Sequence, residues 1–186
     1  MTRKQPIKSH SVALTPLADT KPEQVTVDDA ARLREIRKLV EENNRSTLDT
    51  NLIICQIYME SRFDKNAGHG HDAQGLMQLQ KRGIQQVLKY RKQKEIGHMP
   101  SDAQTKVAFD AGSLLHDGGQ IFEESTNIQL ATEYMQYWLE TSNTIEDAYK
   151  NYRGRSNGIY YKRIHTCAEA LKLKPESMQI LRDMVK

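Results

Sequence analysis

No apolar run in this chain approaches the ~20 residues a membrane-spanning helix needs, and the longest, near Leu52, is far shorter. Membrane insertion is therefore not expected. The N-terminal stretch MTRKQPIKSHSVALTPLADTKPEQ has basic residues but no apolar h-region, so any export is expected to use a route other than a cleaved signal. Cysteine is scarce, with only Cys55 and Cys167, too far apart for a CxxC or zinc-finger spacing. Each sits among apolar neighbours. Two buried free thiols are the plainer expectation, and pairing in an oxidising compartment is the alternative. A net charge of +3 and a pI near 8.8 lack the concentrated basic stripe of a nucleic-acid binder, yet suit an anionic partner. What remains is 186 residues, 38% hydrophobic and 27% charged, enough for one domain with a sizeable core.

Residues 1–26 are rich in Lys, Pro, Thr and Ser without periodicity and read as a flexible leader or docking tail ahead of one domain, 27–186. Helical spacing starts at Val27 and continues through Ala30, Leu33, Ile36 and Val40, with Thr26 and Asp29 placed for a capping box. Ser46 or Thr47 is placed to cap the next helix, which runs to about Ser61. Further helices are expected over Lys81 to Lys94, Asp102 to Leu115 (stripe Val107, Ala108, Ala111, Leu114), Asn127 to Glu140, Ile145 to Tyr152 behind a Thr144 cap, Gly158 to Leu171, and Pro175 to Val185 with Pro175 in the first turn. No repeat and no convincing strand occurs. The fold class is all-α, with at most a small irregular ribbon between Asp64 and Gly75.

One acid stands apart. Ile53, Ile57 and Glu60 are four and three residues apart, so Glu60 shares the stripe that carries core isoleucines. It also lies at its helix's C-terminal end, where the macrodipole disfavours an anion, and partial burial acts in the same direction. Both favour a protonated carboxyl, the form a general acid needs. A salt bridge to Arg62 would defeat that argument. His69, His71 and Asp72 form a loose cluster whose irregular spacing argues against a dedicated metal site. No cofactor is implied.

Glu60-Ser61 followed by Phe63-Asp64 and then Ala73-Gln74-Gly75-Leu76-Met77-Gln78-Leu79 resembles the signature of the soluble lytic transglycosylases, relatives of goose-type lysozymes. Thr126-Asn127-Ile128, leading toward Tyr134, resembles the family's Asn-Ile segment. Ala148 to Gly154 resembles its closing Ala-x-x-x-Tyr-Asn-Gly element. The resemblance implies a lysozyme-like helical domain that cleaves peptidoglycan between N-acetylmuramic acid and N-acetylglucosamine. It implies Glu60 as catalytic acid/base, with Ser61, Gln78 and the main chain around Met77 along the sugar groove and Tyr152 near Glu60. Three positions depart from the family's pattern. Arg153 replaces the usual Asn after the tyrosine, Gln80 replaces the Asp of goose lysozymes, and His69 stands where many members place a Ser near the reacting sugar.

Glycoside hydrolysis ordinarily needs two carboxylates, whereas a transglycosylase needs one. Asp72 stands where the family often has Gly, and keeps a muramidase reading open with Asp72 as second carboxylate. The plainer alternative is that Asp72 caps the loop or the following turn. A non-catalytic glycan-binding or structural module is the competing class, and the presence of Glu60 argues against it. The implied substrate lies in the periplasm or cell wall. With no signal visible, an injected effector, a phage or a conjugation enzyme are the expected settings, with a secretion apparatus or an immunity protein as possible partners.

Overall fold

The computed structural model describes residues 28–154 and 158–186. Their backbone forms α1 (Ala31–Asn43), α2 (Thr50–Ser61), α3 (Lys81–Ile96), α4 (Asp102–Asp117), a 3₁₀ turn (Gln120–Phe122), α5 (Glu124–Thr141), α6 (Ile145–Arg153), α7 (Ile159–Leu173) and α8 (Met178–Met184). No strand occurs among the described residues, so the all-α expectation holds, and the anticipated ribbon reduces to one bridge between Gln74 and Leu79. No described helix is long and apolar enough to cross a membrane. The expected leader and the Thr26 cap lie outside the described residues.

α2 is the core element. Ile53, Ile54, Cys55, Gln56 and Ile57 are fully buried, and α1, α7 and α8 all pack on this helix. Burying each of these isoleucines removes apolar surface worth about 1.5–3 kcal/mol. α5 packs against α1, α3 and α6 and closes the other side. Asp49, rather than Ser46 or Thr47, caps α2 by accepting from the Asn51 N–H (2.8 Å). Ser46 instead donates to Asn44 (2.7 Å), and the Thr47 N–H donates to Gln136 (2.9 Å).

Helix ends shift where local chemistry overrides hydrophobic spacing. α1 starts at Ala31, after a turn in which Asp28 accepts from the Ala30 N–H (3.2 Å). α8 starts at Met178, so Pro175 belongs to the preceding turn rather than to the first helical turn. α4 runs on to Asp117, past the end expected at Leu115. Its expected apolar stripe faces outward, with Val107 69% and Leu114 74% exposed. The physical reason is Gly112, where an added Cβ would lie 3.0 Å from the Gln85 Cα. α3 and α4 approach backbone to backbone there, and that approach selects the buried face.

Cys55 on α2 and Cys167 on α7 form a disulfide, which corrects the expectation of two free thiols. It closes a loop of sequence separation 112, which on the chain-entropy account stabilises the fold by about 4–5 kcal/mol. The oxidised protein should show no titratable thiol when denatured. Reductant should lower its urea midpoint by an amount in that range, and a midpoint indifferent to reductant would contradict the pairing.

Candidate active site

Glu60 is the penultimate residue of α2 and is half-buried. The helix stops because Arg62 turns left-handed (φ 58°), donating its N–H to the Tyr58 carbonyl (3.1 Å). The Arg62 guanidinium folds back onto the carbonyls of Tyr58 and Met59 (2.6 and 2.7 Å). Phe63 is also left-handed (φ 67°), with its ring edge-on to Tyr58 at 5.0 Å. Gln78 (φ 49°) is the third such non-glycine residue among those described. Each costs about 1–3 kcal/mol and persists only where surrounding contacts enforce it. Of the three, Gln78 lines the cleft together with Glu60.

The opposite wall is the turn from Gln74 to Leu79, whose backbones exchange hydrogen bonds of 3.2 and 3.0 Å. Asn127, buried at the start of α5, holds that turn. Its Oδ1 accepts from the Met77 N–H (2.9 Å), while Nδ2 donates to the carbonyls of Gln74 (3.0 Å) and Ile121 (2.9 Å). Gly75 is required on two counts. Its φ is +75°, and a Cβ there would lie 2.1 Å from Asn127 Nδ2. The Gln78 side chain donates to the Gly75 carbonyl (2.9 Å) and closes the turn.

α6 and α7 complete the site. The Tyr152 hydroxyl donates to the Met77 carbonyl (2.9 Å), and the Tyr160 hydroxyl donates to Glu60 Oε1. Arg153 lies over the Tyr160 ring, 4.6 Å from its centroid. Burial, and then the charge of Glu60, hold both phenols well above the usual tyrosine range, so each remains a neutral donor. The resulting cleft, about 260 Å³, is lined by Glu60, Gln78, Arg82, Tyr134, Tyr152 and Arg153 among others.

Other residues expected at the sugar groove lie elsewhere. Ser61 is buried and donates its hydroxyl to the Ile57 carbonyl (3.1 Å), so it finishes α2 rather than facing the cleft. Met77 is fully buried, with its N–H taken by Asn127 and its carbonyl by Tyr152. His69 is exposed and stacks on Phe122 at 5.5 Å. Asp72 accepts from the Lys81 N–H at the start of α3 (3.3 Å). Its carbonyl receives His116 Nε2 (2.8 Å), and His116 Nδ1 reaches Asp117 (2.8 Å). Asp72 is absent from the cleft lining. Among the described residues no three His, Cys, Asp or Glu side chains gather as a metal site.

The transglycosylase SLT domain family matches residues 39–159, well over half of the chain. The chain belongs to that family. It is thereby placed among enzymes that cleave the glycosidic bonds of cell-wall peptidoglycan. No curated protein and no solved structure matches it significantly. The matched span of this SLT chain includes Glu60, the Gly75 turn, Asn127 and Tyr152 but ends one residue before Tyr160.

Tyr160 escaped sequence reasoning. The available signal was its place on the stripe Tyr160, Ile164, Cys167, Leu171, which makes it a core-facing tyrosine that needs a polar partner. His116, which ties α4 to the Asp72 loop, also escaped notice.

Asn127→Ala removes the partner of the Met77 N–H and of the Ile121 carbonyl, at about 1–3 kcal/mol each before water rescues either, while the Gln74 carbonyl keeps the Leu79 N–H. A loss of several kcal/mol in urea unfolding is expected. Gly75→Ala should cost a similar amount through strain and collision. Tyr149, Tyr152 and Tyr160 have raised phenol pKa values, chiefly by burial. The stability they contribute is complete below the unfolded tyrosine pKa of about 10 and is lost as pH rises beyond it. Absorbance titration should show these phenols ionising only together with unfolding.

Proposed function

We propose that this SLT domain is a lytic transglycosylase in which Glu60 is the sole acid/base. Protonated Glu60 donates to the glycosidic oxygen between N-acetylmuramic acid and N-acetylglucosamine, and the bond from the muramyl C1 to that oxygen breaks. The resulting carboxylate takes the proton from the muramyl C6 hydroxyl as its oxygen closes on C1. A 1,6-anhydro ring forms, the carboxyl is regenerated, and no water is consumed. The observation that carries this reading is that Glu60 is the one carboxylate among the described residues lining the cleft. Asp72, the second carboxylate a muramidase would need, is engaged by the first turn of α3 and His116.

Tyr160 acts as a positioning residue by fixing one carboxylate oxygen of Glu60. Tyr152 supports the Met77 carbonyl and thereby the far wall. The disulfide supports action outside a reducing cytoplasm, in the periplasm or cell wall. Delivery as an antibacterial effector, or within a phage or conjugation apparatus, extends the same reading. It predicts that targeting the protein to the periplasm lyses the host and that Glu60→Gln removes the toxicity.

Glu60→Gln should reduce release of soluble fragments from purified peptidoglycan by about 10³-fold, the scale of a lost general acid, with the melting curve kept. Asp72→Asn should retain turnover within a few-fold. Near-normal activity in the first variant, or loss in a folded second variant, would overturn the single-acid account. Strand binding with no release by the wild type would favour a binding module. Tyr160→Phe should lower kcat by about tenfold with KM nearly unchanged, as expected for a group worth about one hydrogen bond to a charged partner.

A further inference from the structure

Resting on the reading that the Glu60 cleft takes a glycan strand, we infer that Arg82 selects for a carboxylate on the 3-O substituent of a muramyl residue, at the point where the cleft opens into an aromatic-walled second cavity. That second cavity, about 350 Å³, is lined by Gln80, Arg82, Gln86, Tyr134, Tyr137 and Trp138. Gln80, Arg82 and Tyr134 line both spaces, so the two form one groove along α3 and α5.

Its wall is a braced platform. The rings of Tyr134 and Tyr137 are nearly parallel (6°) with centroids 6.4 Å apart, and Trp138 meets them edgewise at 5.8 and 4.9 Å. Aromatic faces receive the C–H faces of pyranose rings, and the Gln80 and Gln86 amides offer donors and acceptors to hydroxyl and acetamido groups. A neutral sugar needs no more than these. The groove nevertheless holds a guanidinium.

Charge pairing around it shows why Arg82 stands out. On α3, Lys81 pairs with Asp117 (2.8 Å), Arg91 with Glu133 (2.6 Å), Lys92 with Glu95 (3.1 Å) and Lys94 with Glu140 (3.1 Å). The α5 acids Glu133 and Glu140 are thus already engaged by α3. Arg82 is exposed and has no carboxylate partner among the described residues, although it lines both halves of the groove. A guanidinium in this position suits bidentate capture of a carboxylate. In a peptidoglycan strand that carboxylate belongs either to the stem peptide or, where the peptide has been removed, to the bare lactyl group.

Trp138 is the chain's single tryptophan and lines this cavity, so its emission reports occupancy. The titration uses Glu60→Gln protein, which keeps binding separate from turnover, with and without Arg82→Gln. The probes are a peptide-bearing GlcNAc–MurNAc tetrasaccharide, the same sugar stripped of peptide to its lactyl carboxylate, and chitotetraose, which has no carboxylate. Arg82→Gln should weaken binding of a carboxylate-bearing probe by about tenfold while chitotetraose binding stays within about twofold. Loss confined to the peptide-bearing probe assigns the carboxylate to the stem, and loss confined to the stripped probe assigns it to the lactyl group. Equal weakening of all three, no weakening of any, or unchanged Trp138 emission with every probe would overturn the inference. A Glu60 variant that still cleaves strands would sink the catalytic reading and leave this binding result intact.

Discussion

Asn127 is the side chain on which the site depends. One buried amide satisfies the Met77 N–H and the carbonyls of Gln74 and Ile121, joining the Gly75 turn, the 3₁₀ turn and the start of α5. Each of those backbone groups, if left unmet in the interior, costs about 1–3 kcal/mol. The turn therefore has one strongly preferred position relative to α5. That position requires Gly75, because no Cβ fits beside the amide. Tyr152 then reads the carbonyl of Met77, whose N–H Asn127 has already fixed, so the far wall of the cleft is set through a chain of backbone contacts rather than by side chains touching sugar.

Glu60 is presented by a different device. α2 is anchored along its length by buried isoleucines and by the disulfide to α7, then ends abruptly in two left-handed residues, Arg62 and Phe63. The backbone strain there is offset by the buried Phe63 ring and by the Arg62 guanidinium on two carbonyls. The same α7 that bears Cys167 carries Tyr160 two turns earlier, so the covalent link and the hydrogen bond to the acid rest on one rigid helix. A loss of rigidity in the α2–α7 contact would reach the carboxyl oxygen directly.

Local patterns carried much of this into the sequence. Isoleucine spacing pointed to partial burial of Glu60, which is half-buried although α2 before it is buried on every face, and Thr144 caps α6 as its position suggested, accepting from the Asp147 N–H. The motif blocks pointed to the SLT family, and residues 39–159 match it. What stayed hidden needs information from distant parts of the chain. Tyr160 and Glu60 meet across a hundred residues, and Cys55 meets Cys167 across a longer span. Neither pairing leaves a periodic trace. α4 misled for a different reason, since close backbone packing at Gly112 outweighed the apolar stripe and left Val107 and Leu114 in solvent. Ser61 belongs to the Glu-Ser motif, yet its hydroxyl completes the helix. A motif residue can serve the fold that carries the acid without touching what the acid acts on.

The central claim is that the muramyl C6 oxygen, not water, attacks C1 when Glu60 acts. Digestion of purified peptidoglycan in water enriched in heavy oxygen, followed by mass analysis of the released muropeptides, tests it most directly. The account predicts anhydromuramyl ends that carry no label. Reducing muramyl ends that have gained labelled oxygen would contradict it.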